Sequence, residues 1–137
     1  MSEPFSASFV APADLATIER VHSMFERLGD ERPDLPEQTR SAFELAVVEV
    51  VTNVVQHSPD RPPVTVELRI VATPRGLEAV VTDDAPPAAV DLDAAALPED
   101  DLAESGRGLA LVGLLVDRFE HEPLASGNRW TLAVEAG

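Results

Sequence analysis

Cysteine is absent from the 137 residues, which excludes disulfides, thiolate zinc sites and a cysteine nucleophile. Lysine is absent too, since all ten basic residues are arginine. That rules out the lysine-bearing phosphate loop of P-loop enzymes. Basic charge is scarce, with 10 arginines against 25 acids and a net charge of −15. A nucleic-acid binder needs a basic footprint, so the composition argues against DNA and RNA. No apolar run approaches the length of a bilayer-spanning helix, and no basic-then-apolar leader opens the chain. The expectation is a cytoplasmic, soluble protein with no membrane contact. No internal repeat or composition break divides it, so residues 1–137 read as a single domain.

What is present is patterned. Apolar residues make up 45% of the chain, enough for one core. Residues 5–10 alternate, with Phe5, Ala7 and Phe9 on one side, which predicts a strand. Leu15, Ile18, Val21, Met24, Phe25 and Leu28 recur at helical spacing, and Gly29 is expected to end that helix. Asp34 with Glu37 three residues later reads as a capping box for a second helix reaching about His57, where Ser58-Pro59 stops it. Val64, Val66, Leu68 and Ile70 alternate with polar residues. Arg75-Gly76 then turns the chain into Leu77, Ala79 and Val81. Residues 84–105 carry seven acids, no basic residue and three prolines. Loops of that length inside a domain are lids, binding loops or disordered segments. One helical turn is expected at 92–97. A short helix follows at 109–116, then strands at 119–122 and 128–135. The order predicts an α+β fold, a two-layer sandwich with a mixed, mostly antiparallel sheet and its helices on one face. Alternating βαβ units of a doubly wound sheet are missing.

Three features carry the chemistry. Four residues turn a helix by about 400°, so Glu49, Asn53 and His57 form one stripe within an apolar run. Buried polar groups need partners. This acid, amide and imidazole suit a metal ion with phosphates, or else a polar network that fixes the helix. Asp83 ends its strand on the apolar face, as a ligand hook or as a cap for the following loop. Gly106-Arg107-Gly108 reads as a flexible turn opening the helix that starts at Leu109.

In that order and spacing, these motifs resemble the GHKL ATPase superfamily, with its Bergerat-type ATP-binding fold. The compact chain looks most like the anti-sigma-factor serine/threonine protein kinases. The resemblance implies ATP and Mg²⁺ as ligands. Asn53 would be the magnesium ligand, because magnesium prefers oxygen donors and keeps several waters. Glu49 would be the general base, taking the proton of the attacking hydroxyl. His57 would position the helix end or a phosphate. Asp83 would accept the exocyclic amine of adenine, with Ala85 two residues on also at the nucleotide. Ser105, Gly106, Gly108 and Leu109 would bring backbone N–H groups to the phosphates, with the helix N-terminus adding partial positive charge. Arg107 either stabilises charge on the transferring phosphoryl group or pairs with Glu104 or another acid of the loop. Ala85 and Pro87 stand where the family pattern has glycines, which should stiffen the adenine loop. Glu104 stands where the better-known kinases have arginine. The acidic loop adds repulsion against triphosphate, so binding should depend on magnesium.

The resemblance further implies a switch in transcription. The kinase sequesters a sigma factor and phosphorylates an anti-sigma-factor antagonist that competes for it. A homodimer through the first strand and helix is compatible with this. The alternative is a protein-interaction module that holds a partner without kinase activity. A third reading, the catalytic half of a histidine kinase, needs a phospho-accepting histidine. His22 lacks the acidic neighbour of such sites and reads as a surface histidine.

Overall fold

Alternation places the strands, and helical periodicity lays the three described helices over one face of them. The computed structural model describes residues 5–57, 63–86 and 104–135. In chain order the elements are β1 (Phe5–Pro12), α1 (Leu15–Glu31), α2 (Glu37–His57), β2 (Thr65–Thr73), β3 (Gly76–Asp83), α3 (Glu104–Leu115), β4 (Arg118–Leu124) and β5 (Gly127–Glu135). They form the α+β sandwich that the alternation predicts. The five-stranded sheet has the order β1-β2-β3-β5-β4. Every pair is antiparallel, the limiting case of the mostly antiparallel sheet expected.

Register gathers the apolar residues on one side. Ala7 pairs with Ile70, Ile70 with Ala79, and Ala79 with Leu132. All four are buried. The opposite face carries Glu67, Arg69, Glu78 and Arg129. Against the apolar side α2 buries Phe43, Ala46, Val47, Val50, Val51 and Val54. Complete burial of one valine or phenylalanine contributes about 1.5–3 kcal/mol, so this helix is firmly seated and its polar stripe keeps a fixed place.

Three helix boundaries differ from those the sequence suggests. α1 runs through Gly29 to Glu31. A Cβ at Gly29 would lie 1.8 Å from an Arg40 guanidinium nitrogen, so the glycine makes room for that side chain rather than ending the helix. Asp14 caps the start of α1, accepting from the Thr17 N–H at 3.1 Å. Asp34 does not form a capping box. Both its carboxylate oxygens are taken by Arg32, at 2.9 and 2.8 Å. This buried arginine also reaches the Ala72 carbonyl at 3.4 Å, tying the α1–α2 connection to β2. Finally, α3 begins at Glu104, so Gly106, Arg107 and Gly108 lie inside the helix instead of in a turn before it. The helical turn expected at 92–97 lies outside the described residues, as does Pro87. Among the described residues no helix is long and apolar enough to cross a membrane.

Candidate functional site

α2 carries the polar stripe toward α3 and the centre of the sheet. Glu49 and Asn53 are half-buried, one turn apart, while His57 is exposed in the last turn. α2 packs on α3, β3 and β5. At Gly108 of α3, a Cβ would lie 2.9 Å from Glu49 Oε2. The glycine therefore admits the carboxylate to the face of α3. The structure thus brings together the Glu49 end of the α2 stripe and Gly108 of the glycine motif. A purely structural glutamate would be tied to an arginine or a helix N-terminus. Glu49 has no side-chain hydrogen bond or ion pair among the described residues, and neither has Asn53. His57 is likewise unbonded through its side chain among the described residues.

Asp83 ends β3 at 4% exposure. Its carboxylate is held by three donors. Oδ1 accepts from the Ala85 N–H at 3.0 Å and from Asn128 Nδ2 at 2.9 Å. Oδ2 accepts from Trp130 Nε1 at 3.1 Å. Asp83 is thus a loop cap, and one acceptor site on Oδ2 remains free for a ligand amine. The next residue, Asp84, accepts from the Thr65 N–H at 2.7 Å and fixes the exit of the strand. Gly127 lets this corner close. Its φ is +154°, and a Cβ there would sit 2.0 Å from the Asp83 carbonyl oxygen.

Sequence reasoning missed Asn128, Trp130 and His121. Asn128 opens the strand expected at 128–135 and shares the parity of Trp130 and Leu132, so it faces the core. Register then sets it opposite Asp83. His121 pairs with Trp130 across β4–β5, with ring centroids 4.2 Å apart, and its Nε2 lies 2.9 Å from Asn128 Oδ1. Nothing in the linear sequence announces this pairing.

The donor set fits a magnesium nucleotide. Asp83 keeps a free acceptor site, and the Glu49 carboxylate and Asn53 amide are uncommitted. The N–H groups of a helix's first turn lack intrahelical partners, and on α3 these include Glu104, Ser105 and Gly106. Among the described residues no cluster of three or more His, Asp or Glu could hold a metal unaided. A magnesium ion here would rely on Asn53, phosphate oxygens and water, as that ion commonly does.

Comparisons place this geometry. The histidine kinase domain of the Erythrobacter litoralis EL346 blue-light-activated histidine kinase superposes with a TM-score of 0.56 at 24% identity, over 87% of this chain and 63% of that one. This chain therefore spans under two thirds of that structure. Acinetobacter baumannii histidine kinase AdeS superposes with a TM-score of 0.52 at 16% identity, over 94% and 68%. At these identities the likeness is one of fold. No curated protein matches the chain. The model of the histidine kinase-like ATPase domain matches residues 11–133, and the chain belongs to that family of GHKL-type ATP-binding domains.

Proposed function

We propose that the chain is an ATP-dependent serine/threonine protein kinase that phosphorylates an anti-sigma-factor antagonist and controls a sigma factor by partner switching. The observation that carries this reading is the uncommitted Glu49 carboxylate, seated against Gly108 one helical turn from Asn53. Bound Mg-ATP would supply the transferable phosphoryl group. Asp83 would accept the adenine amine, and Asn53 would offer its amide oxygen to the cation. The N–H groups opening α3 would donate to phosphate oxygens. Glu49 would take the proton of the incoming serine or threonine hydroxyl as the oxygen–phosphorus bond forms and ADP departs. Positioned base catalysis of this kind contributes about 10²–10⁴-fold. A homodimer through β1 and α1 fits the place of β1 at the edge of the sheet among the described residues, and the exposed Val10 and Leu15.

The test is phosphotransfer from labelled Mg-ATP to candidate antagonists, with wild type and Glu49→Gln. The expected result is acid-stable phosphate on serine or threonine, lost at least about a hundredfold in Glu49→Gln with ATP binding retained. Wild-type rates in Glu49→Gln would remove the base from the mechanism. Acid-labile phosphate would move the reading to phosphohistidine chemistry. A second reading, a protein-holding module without kinase activity, draws on the three internal donors that already engage Asp83. Nucleotide binding with no phosphorylated partner would favour it.

A further inference from the structure

We propose that Asn128, with its amide oriented by His121, is a specificity-determining residue that makes Asp83 an adenine acceptor and denies it to guanine. The inference rests on the ATP site proposed above and adds the origin of its base preference.

The hydrogen bonds fix every orientation. Asn128 Nδ2 faces the Asp83 carboxylate at 2.9 Å and the Pro86 carbonyl at 3.3 Å, both acceptors only. A flipped amide would set its oxygen against that carboxylate. Asn128 Oδ1 therefore faces His121 Nε2 at 2.9 Å, and that nitrogen must carry the proton. The imidazole is itself held by its contact with the Trp130 ring. The residue pair thus locks one donor onto Asp83 Oδ1.

A carboxylate has about four acceptor sites, two on each oxygen. Ala85 and Asn128 fill both sites on Oδ1, and Trp130 fills one on Oδ2. One site is left. Adenine presents a single donor on its pairing edge, the 6-amino group. Guanine presents two adjacent donors, N1–H and the 2-amino group, and a carboxylate takes both only when each oxygen has a free site. With Oδ1 closed, the second guanine donor has no partner, and an unpaired buried donor is costly.

Competition against ribose-labelled fluorescent ATP with magnesium tests this on the full chain. Inosine triphosphate is the informative probe, because it keeps N1–H and lacks the 2-amino group. In wild type, GTP should compete at least about fivefold more weakly than inosine triphosphate, because its 2-amino donor is left without a partner, and both more weakly than ATP. Asn128→Ala opens a site on Oδ1, so GTP should gain about tenfold over inosine triphosphate, the worth of one hydrogen bond to a charged acceptor. Trp130→Phe opens only Oδ2 and should leave the wild-type ratio of the two unchanged, whatever it does to overall affinity. A wild-type protein that prefers GTP to inosine triphosphate tenfold overturns the proposal and leaves the ATP site standing. A folded Asn128→Ala in which GTP gains nothing relative to inosine triphosphate also overturns it. Failure of wild type to bind labelled ATP overturns the ATP site itself, and this inference with it. If Asn128→Ala does not fold, the wild-type comparison of GTP with inosine triphosphate decides alone.

Discussion

Two glycines separate what a residue does for stability from what it does for the site. At Gly108 an added Cβ meets Glu49 Oε2 at 2.9 Å, the far end of a flexible side chain. Alanine is favoured over glycine in a helix by about 1 kcal/mol, which offsets the crowding. Gly108→Ala should therefore unfold in urea within about 1 kcal/mol of wild type, yet lose phosphotransfer at least about tenfold as Glu49 is displaced. Equal activity would mean that the close approach has no role. At Gly127 the added Cβ meets the Asp83 carbonyl oxygen at 2.0 Å, with φ at +154°. Backbone cannot swing aside as a carboxylate can. Gly127→Ala should cost about 2 kcal/mol or more in urea unfolding. An unchanged unfolding midpoint would contradict this.

Elements were legible where one periodicity decides them and opaque where a tertiary contact does. Alternation at Val66, Leu68 and Ile70 marks β2, and helical spacing marks the body of α1. The end of α1 depends on Arg40 lying over Gly29, and the start of α2 on Arg32 holding Asp34. Neither partner is visible in a local pattern. The site divides the same way. Glu49, Asn53 and His57 stand out because polar residues interrupt an apolar run, and Asp83 because of its parity. Asn128 and His121 become partners of Asp83 only through the register of β3, β5 and β4. The Arg32–Asp34 contact also predicts a pH effect at this scale. Hydrogen bonding to Arg32 holds the Asp34 carboxyl below its ordinary value of 3.8. The contact is therefore formed above that value and is lost as pH falls through the lowered one. Asp34→Asn should flatten the loss of stability below about pH 4 seen in thermal unfolding. Asp34 is 56% exposed on its side chain, so solvent screening keeps the difference modest.

For the whole molecule, the net charge of −15 sets opposite salt responses for its two classes of proposed ligand. A triphosphate approaches against repulsion, so its association rate should rise with salt. Charge interactions are screened beyond about 8 Å at 0.15 M. A basic partner protein would be drawn in, and its association should slow over the same range. Stopped-flow measurements with a fluorescent nucleotide and a labelled partner check both, and a nucleotide rate that falls with salt would contradict the first. The strand order has a consequence in time. β5 lies between β3 and β4 but follows every other described element in the chain. A ribosome delivers β1, β2 and β3 early, and they can pair as they emerge. β3 then waits with one edge open, through the whole of α3 and β4, for its inner neighbour. During translation that edge is an unpaired template for strands of other chains. Asp83 meets Asn128 and Trp130 only when β5 inserts, so nascent chains that have not yet made β5 contain the carboxylate without the donors that aim it.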